Sequence, residues 1–268
     1  MIEACVLNLM PTKEATERQL SSLLNSAGKK INIAWLTTAT YKSKNISEDY
    51  LRTNYITFEN ITNRKFDIFI VTGAPVELME FEDVAYWQEL TKILDFTKTN
   101  SLFNIFICWG AQAALYHFYK IQKYKFDKKY CGIFKQSLQN PDSIFYKEIA
   151  DGFYMPHSRH TGIKKEDIKK NKNIITDLCS GVEVSVVSSS DQKNLYITGH
   201  PEYEADTIHL EYLRDLASGK NPALPENYYP ENNPALKPVN TWQKQAAQFY
   251  KNIINHVINL KGELNENF

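Results

Sequence analysis

A cysteine near the middle of the chain lies where a catalytic nucleophile could work. Cys108 follows the apolar run 102–107 and precedes a helical pattern over residues 109–119, which predicts a tight turn at the carboxyl end of a strand. Ligands gather at that edge in open α/β sheets. A helix N-terminus favours the thiolate, and its free amides can bind an oxyanion. By itself the segment fits either a catalytic cysteine or a core cysteine beside a core tryptophan.

A histidine and a glutamate late in the chain could complete such a site. His200 follows the strand-like run 195–198 and precedes a helical pattern, so it is predicted at the same edge of the sheet. Histidine has the side chain whose ordinary pKa suits proton transfer near neutrality. Glu202 could fix the tautomer and orientation of the imidazole. Each residue alone also fits an ordinary turn, but the three together form a nucleophile, a base and an orienting carboxylate.

The elements that must position these residues alternate over the first 120 residues. Short apolar runs predict strands, and apolar residues with helical spacing predict helices, which is typical of a parallel sheet with helices on both faces. The predicted strands are 4–9, 31–36, 66–72 and 102–107, and the predicted helices are 13–26, 84–98 and 109–119.

The second half of the sequence is less regular. It predicts a helix over 206–218 and shorter strands over 131–138, 152–155, 174–178, 182–188 and 195–198. Five of the ten prolines fall within 222–238, which excludes a regular helix there and predicts an extended segment. A last helix is predicted over 241–260. Without internal repeats or a low-complexity linker, residues 1–268 are predicted to form one domain.

Composition excludes several classes of partner. The 268 residues carry 31 Lys and Arg against 31 Asp and Glu, so no net charge attracts a phosphate backbone and nucleic acid is not expected as a partner. No apolar window reaches the length of a membrane helix, so no membrane association is expected. The N-terminus lacks a basic region ahead of an apolar one, so no signal peptide is expected either. We therefore expect a cytoplasmic protein.

Cofactor motifs are also lacking in the sequence. The four cysteines at 5, 108, 131 and 179 have no Cys/His spacing suited to zinc, so no metal is expected. Neither a G-x-G-x-x-G motif nor a P-loop is present. No permanently bound cofactor is expected.

Six segments together resemble one known family, the homoserine O-acyltransferases, which comprise the O-succinyl- and O-acetyltransferases of methionine biosynthesis. The resemblance runs in order from about residue 6 to 235. It implies a flavodoxin-like fold related to class I glutamine amidotransferases, and a homodimer. The matching segments are 7–11 (LNLMP), 71–75 (VTGAP), 83–87 (DVAYW), 108–113 (CWGAQA), 156–159 (PHSR) and 199–203 (GHPEY).

The resemblance implies a covalent route between two small molecules, an acyl-CoA and an amino acid. Cys108 would attack the acyl-CoA thioester and form an acyl-enzyme. His200 would then deprotonate the acceptor hydroxyl, with Glu202 supporting it. The backbone amides of Ala74 and Trp109 are candidate oxyanion donors.

Substrate-binding positions follow from the same resemblance. Lys129 matches the family's lysine at the acyl-CoA site, and Ser158 and Arg214 match its amino-acid-binding positions. An arginine fork suits a carboxylate. From local sequence alone, Arg214 also fits a surface arginine paired with Glu211 or Asp215, and Lys129 fits the end of a solvated basic run.

Glu77 matches the position that separates acetyl from succinyl donors in this family. A glutamate there fills space and opposes the succinyl carboxylate, whereas a glycine leaves room for it. The resemblance therefore implies acetyl-CoA as co-substrate and L-homoserine as acceptor. Serine as acceptor, in cysteine biosynthesis, is the alternative, and succinyl-CoA-dependent acylation of homoserine is a less favoured one.

The chain departs from the family pattern at several places. Lys135-Gln136 replaces a usual Glu-His, and Gln243-Lys244-Gln245 replaces a usual Arg-Ser-His. The N-terminal arm of typical members is also missing from the sequence. None of these changes removes the predicted triad. Two other hypotheses are a glutaminase, which Phe106 disfavours because its elbow usually begins with glycine, and a binding protein that has lost its chemistry.

Overall fold

The computed structural model describes residues 1–40, 46–149 and 153–266, with the side chains of residues 265 and 266 left aside. Seven α-helices are found among these residues. The strands are β1 (Ile2–Leu7), β2 (Ile31–Leu36), β3 (Phe66–Val71), β4 (Ser101–Ile107), β5 (Lys123–Lys135), β6 (Ser137–Leu138), β7 (Tyr154–Ile163), β8 (Ile174–Ser180), β9 (Glu183–Ser189) and β10 (Asn194–Ile197). The helices are α1 (Lys13–Asn25), α2 (Glu48–Asn54), α3 (Trp87–Asn100), α4 (Trp109–Tyr119), α5 (Lys165–Lys169), α6 (Thr207–Ala217) and α7 (Gln243–Glu266).

Eight strands form one sheet in the order β2-β1-β3-β4-β10-β9-β8-β6. The first five strands in this order, β2, β1, β3, β4 and β10, pair in parallel. The pairs β10–β9, β9–β8 and β8–β6 are antiparallel. The predicted α/β fold with a mostly parallel sheet is therefore confirmed. Parallel strands end at a common edge, so the segments that follow β1, β2, β3, β4 and β10 meet there.

The parallel strands are buried on both faces because helices cover each side. In β1, Cys5 and Leu7 belong to one buried cluster, whereas Ala4 and Val6 belong to the other. This alternation is the two-residue period of a strand. Helices α3 and α4 pack on the first face, and α1 and α7 pack on the second. The continuous apolar runs in the sequence have this origin.

A separate two-stranded antiparallel sheet joins β5 to β7, with an irregularity between Lys125 and Tyr130. The prediction began the first of these strands at residue 131, because charged residues dominate 123–129 and hide the strand pattern. It ended the second at residue 155, whereas β7 continues to Ile163. The start of that predicted strand, Gly152, lies outside the described residues.

A third buried cluster holds the proline-rich segment and the start of the last helix. Residues 222–238 contain no α-helix, as the prolines predict, and their regular structure is one turn of 3₁₀-helix at Pro230–Asn232 and a single bridge from Glu226 to Gly132 of β5. The segment packs through Tyr228 and Tyr229 on Trp242 and Ile133. Helix α7 extends six residues beyond the predicted end at residue 260. Among the described helices, none is long and apolar enough to cross a membrane.

Asp177 on β8 has a fully buried carboxyl group. We therefore expect the stability of the folded protein to depend on pH. Burial raises the pKa of Asp177 from 3.8 to about 6, although hydrogen bonds from Asn140, Ser188 and Tyr146 oppose the rise. A carboxyl with a raised folded-state pKa stabilises the fold most when protonated. The free energy of unfolding should thus fall by up to about 3 kcal/mol as the pH rises from about 4 to about 6.

Asp177→Asn should remove this loss, because an amide keeps hydrogen bonds without the charge. Urea unfolding above pH 6 should show the variant more stable than wild type by about 1–3 kcal/mol, with little difference near pH 4. The exposed Asp142→Asn serves as the control. A variant less stable than wild type at neutral pH would contradict the assignment.

Candidate active site

Cys108 lies in a sharp turn between β4 and α4. Its backbone has φ 51° and ψ −116°, a combination that an L-residue rarely adopts outside functional turns. Its amide donates to the Ile197 carbonyl of β10 at 2.7 Å, which holds the turn against the neighbouring strand. The side chain is 7% exposed and reaches the wall of a cavity.

Glycine is required beside this turn because two backbones approach closely. A Cβ on Gly110 would lie 2.6 Å from the Thr72 carbonyl oxygen, at the end of β3. A Cβ on Gly73 would lie 3.1 Å from the Cβ of Cys108. The absence of both side chains lets the loop after β3 approach the cysteine.

His200 reaches the same edge from β10, as predicted. Its amide donates to the Pro156 carbonyl at 2.8 Å, and its ring stacks on Tyr203 with 4.1 Å between the centroids. Gly199 makes this approach possible, since a Cβ there would lie 2.4 Å from the Met155 sulfur. The imidazole is therefore fixed by β7 on one side and by its own loop on the other.

The side chains of Cys108, His200 and Glu202 lie next to one another. His200 Nδ1 lies 2.7 Å from Glu202 Oε1, and the Cys108 side chain is close enough to the imidazole to act on its protonation. The structure thus brings the three predicted residues together. The Glu202 side chain is 6% exposed, and within the described residues its second oxygen, Oε2, has no hydrogen-bond partner.

His200 is strongly biased toward its protonated form. Burial lowers its pKa, but Cys108 and Glu202 raise it through their charges and hydrogen bonds, and the net result is a pKa well above the ordinary value of 6.5. An imidazolium beside a cysteine sulfur is the pair that makes cysteine a strong nucleophile.

A second buried histidine supports this arrangement from behind and stays neutral. Burial lowers the pKa of His157 well below its ordinary value, and Arg159 and His200 lower it further. Arg159 is fully buried; its Nε donates to His157 Nδ1 at 3.3 Å, and its Nη1 donates to the Thr161 carbonyl at 2.8 Å. The matched segment 156–159 therefore forms a wall behind His200.

A cavity of about 290 Å³ opens in front of Cys108 and His200, and most of its charged groups lie on α6 and β5. Glu211 accepts hydrogen bonds from Ser158 and from the Tyr203 hydroxyl. Lys129 Nζ lies 3.6 Å from Glu211 and 3.7 Å from Asp215. Lys129 is thus 22% exposed at the cavity wall, rather than solvated within a basic run.

Arg214 lies at the mouth of this cavity. Its guanidinium is 3.4 Å from Asp215, and 60% of its side chain is exposed. Asp215 is the partner considered for it in the sequence, whereas Glu211 pairs with Lys129. The positions predicted for substrate binding, Lys129, Ser158 and Arg214, all line this cavity.

Glu77 lines the opposite wall, in the loop after β3. Its Oε2 accepts from the His160 amide at 2.8 Å and lies 3.3 Å from the Thr161 hydroxyl oxygen. The Thr161 hydroxyl donates to Gln112 Oε1 at 2.8 Å, and Gln112 is one turn after Cys108. The Glu77 carboxylate is therefore held on the wall of the cavity that contains Cys108.

Two candidate oxyanion donors flank the cysteine. Ala74 lines the cavity on the loop after β3. Trp109 is the first residue of α4, so its amide has no carbonyl partner one turn earlier in that helix. Among the described residues, no group of three or more His, Cys, Asp or Glu side chains is placed to hold a metal ion.

Sequence reasoning missed Glu211 as a cavity residue, and it gave no role to Thr161 or Gln112. Glu211 is four residues before Asp215 on α6, so the helical period puts both on one face. This spacing could have indicated in the sequence that Glu211 and Asp215 line the same cavity. Nothing local marks Thr161, because its contact with Glu77 depends on the pairing of β5 with β7.

Known proteins with similar sequences are acyltransferases by name. A homoserine O-acetyltransferase of Geobacillus sp. (strain WCH70) is 45% identical over 254 residues, which cover 94% of this chain and 84% of the relative. Homoserine O-acetyltransferases of Clostridium acetobutylicum and Petrotoga mobilis are 44% and 42% identical with similar coverage.

Solved structures with the same fold are distant in sequence. A glutamine amidotransferase from Thermotoga maritima superimposes with a TM-score of 0.65 at 10% identity, covering 96% of this chain and 98% of that one. A glutamine amidotransferase from Methylobacillus flagellatus gives a TM-score of 0.60 at 10% identity, with 97% and 94% covered. These likenesses confirm the predicted fold class.

The family described as homoserine O-succinyltransferase matches residues 1–262. Almost the whole chain is thus included, together with every residue of the cavity that contains Cys108. The resemblance seen in the sequence motifs is confirmed: the chain belongs to the homoserine O-succinyltransferase family and is an acyltransferase.

Proposed function

We propose that this enzyme transfers an acetyl group from acetyl-CoA to the side-chain hydroxyl of L-homoserine through an acyl-enzyme on Cys108. The observation that carries the proposal is the placement of Cys108 beside His200 at the wall of a cavity with both charge signs, with Glu202 hydrogen-bonded to His200 at 2.7 Å. The names of the relatives at 42–45% identity support homoserine over serine as acceptor. They also support a place in methionine biosynthesis.

The first half-reaction forms a thioester on the enzyme. The Cys108 sulfur attacks the acetyl carbonyl, and the carbonyl oxygen becomes an oxyanion that the Ala74 and Trp109 amides can stabilise. The carbon–sulfur bond to CoA then breaks, and the His200 imidazolium gives its proton to the departing CoA sulfur. Acetyl-Cys108 and neutral His200 remain.

The second half-reaction returns the enzyme to its starting state. Neutral His200 takes the proton of the homoserine hydroxyl as its oxygen attacks acetyl-Cys108. The carbon–sulfur bond breaks, O-acetylhomoserine forms, and the Cys108 sulfur is again paired with the imidazolium. Glu202 holds the imidazole in one tautomer through both steps.

A free amino acid fits the charges around the cavity. Glu211, fixed by Ser158 and Tyr203, is suited to the acceptor ammonium. Arg214 is suited to its carboxylate, since a guanidinium forms two parallel hydrogen bonds to that group. Lys129 stays assigned to the acyl-CoA side, as the family resemblance implies. The acceptor hydroxyl would then point toward His200. The homodimer implied by the family resemblance remains a prediction.

Glu77 is the basis for proposing acetyl rather than succinyl transfer. A succinyl carboxylate about 4 Å from the Glu77 carboxylate would be repelled by about 1–4 kcal/mol, depending on the local dielectric. Because the His160 amide donates to this carboxylate and holds it beside Thr161, it cannot easily swing away.

Glu77→Gly should therefore raise the ratio of succinyl-CoA to acetyl-CoA turnover by about ten- to a thousandfold. The ratio of the two kcat/KM values, with homoserine held saturating, measures it. Glu80→Gly, an exposed glutamate of the same loop, is the matched control. An unchanged ratio in Glu77→Gly would remove the proposed role of this residue.

Steady-state release of CoA thiol tests the proposed function itself. Acetyl-CoA is supplied with L-homoserine or L-serine in parallel, and the donor alone gives the background. We expect kcat/KM for homoserine to exceed that for serine by at least tenfold, because one methylene is worth about 1–3 kcal/mol in a pocket. A preference for serine would contradict the proposed acceptor. Release of ammonia from glutamine would favour the alternative hypothesis of a glutaminase.

A further inference from the structure

A second cavity, of about 370 Å³, lies beside the first and is not used by the mechanism above. It is bounded by the segments that follow β1, β2 and β3. The strand order reverses between β1 and β3, where β1 also pairs with β2. Such a reversal in a parallel sheet leaves a crevice at the carboxyl edge, and that crevice is where open α/β folds place elongated ligands.

The two cavities share one wall. They lie side by side along the sheet edge, because β3 lies between β4, which carries Cys108, and β1. A molecule that presents its reacting end to Cys108 can therefore continue over this wall into the second cavity. The shared lining residues are Met10, Pro11, Pro75, Val76 and Met79.

The chemistry of the second cavity differs from that of the first. The first cavity contains the carboxylates of Glu77, Glu211 and Asp215. None of the described residues lining the second carries a carboxylate, and its charged residue is Lys13, whose ammonium donates to the Asn8 carbonyl at 2.5 Å. An amino acid with both charge signs suits the first cavity, whereas an uncharged arm needs no ionic partner and suits the second.

The remaining lining is apolar with hydroxyl groups at one side. Leu9, Val84 and Tyr86 contribute apolar surface, and Thr37 and Thr38 contribute hydroxyls from the segment after β2. A mostly apolar cleft with a few polar groups is the usual site for a flexible ligand arm that carries amides.

We propose that this second cavity binds the pantetheine arm of the acyl-CoA donor, with the thioester passing over the shared wall to Cys108. The inference rests on the proposed function, since it takes the donor to be a CoA thioester. It assigns separate places to the two substrates: the donor enters from the β1/β3 side, and the acceptor enters from the α6 side. Acceptor and departing CoA then need not exchange through one opening.

Filling the second cavity tests this arrangement. Ala85 is exposed at its rim, so Ala85→Trp places a bulky ring there without disturbing the core. Thr37→Trp does the same from the opposite side. Asp83→Trp, an exposed neighbour that does not line the cavity, is the matched control.

Comparing two acetyl donors distinguishes an effect on binding of the pantetheine arm from an effect on the transfer reaction. Acetyl-CoA carries the full arm, and S-acetyl-N-acetylcysteamine carries only its thioester end. With homoserine as acceptor, Ala85→Trp and Thr37→Trp should raise the KM for acetyl-CoA at least about tenfold, while kcat/KM for the short thioester stays within about twofold of wild type. Equal losses with both donors, or no loss with acetyl-CoA, would overturn the proposal.

Direct titration of CoA into the protein keeps this inference distinguishable from the proposed function. Calorimetry should give a Kd for CoA that weakens at least about tenfold in both tryptophan variants and not in Asp83→Trp. If the wild type fails to acetylate homoserine yet shows this pattern, the proposed acceptor falls and the donor cavity stands. CoA binding that is unaffected by both variants would overturn the cavity assignment, whatever the activity.

Discussion

Cys108→Ala is expected to lower kcat for acetyl transfer by at least about a thousandfold, because the proposed route holds the acetyl group on the Cys108 sulfur between the two half-reactions. CoA release with homoserine is the measurement. The Kd for CoA, which cannot acylate the enzyme, should stay near that of the wild type, since the thiol contributes little to binding of the rest of the donor.

The control is a cysteine remote from the site. Cys179 is buried on β8 and lines neither cavity, so Cys179→Ala makes the same substitution and should keep near wild-type kcat. If Cys108→Ala retained more than about a tenth of the activity, the covalent route would be wrong and direct transfer between bound substrates would replace it.

Glu202→Gln is expected to lower kcat by roughly three to four orders of magnitude. The amide can still accept the Nδ1 hydrogen bond, but it can also donate to that nitrogen and stabilise the wrong tautomer of His200. It also removes a negative charge that stabilises the imidazolium. The thermal unfolding midpoint, followed in parallel, separates this loss from misfolding.

The same variant should shift the pH profile in a defined direction. Glu202 and Cys108 raise the pKa of His200 against the effect of burial, so the wild-type imidazolium persists well above pH 6.5. Donor kcat/KM needs this imidazolium to protonate departing CoA, and it falls when the proton is lost at high pH. Without the Glu202 charge the alkaline limb should move to lower pH.

Glu204→Gln provides the matched comparison for this shift. Glu204 is two residues further along and pairs with Arg18 at the surface, so its substitution should leave both kcat and the alkaline limb in place. A Glu202→Gln enzyme with an unmoved alkaline limb would contradict the assignment of Glu202 as the partner that sets the protonation of His200.

The buried strands and the catalytic turn could be predicted because their signals are local. The apolar run before Cys108 is a strand covered on both faces, and Gly110 permits the close approach of the helix to Thr72. His200 follows a strand in the same way. Parallel strands end at one edge, so the strand endings alone predicted that Cys108 and His200 would meet.

The acceptor side of the site could be predicted only in part, because it depends on long-range pairing. Ser158 lies opposite Cys131 in the register of β5 and β7, and this pairing brings Lys129 to Glu211 on α6. The charges of residues 123–129 hid β5 in the sequence. The motif resemblance pointed to Ser158 and Lys129, whereas the position of Glu211 beside them at the cavity wall was visible only in the folded arrangement.

The second cavity was beyond sequence reasoning for a similar reason. Its walls come from segments after three strands that are far apart in the chain. The predicted helix over 84–98 also included Val84 to Tyr86, whereas α3 begins at Trp87 and those three residues line the cavity. Their apolar character resembled a helix face because Val84 and Tyr86 pack on the same core cluster.

The mass of the intact enzyme after mixing with acetyl-CoA, with no acceptor present, tests the central claim most directly. We predict a gain of one acetyl group, located on the peptide that contains Cys108, absent in Cys108→Ala, and removed when L-homoserine is added with O-acetylhomoserine released. Product formation without any acetylated enzyme, or an acetyl group that sits on another residue and resists homoserine, would contradict the account.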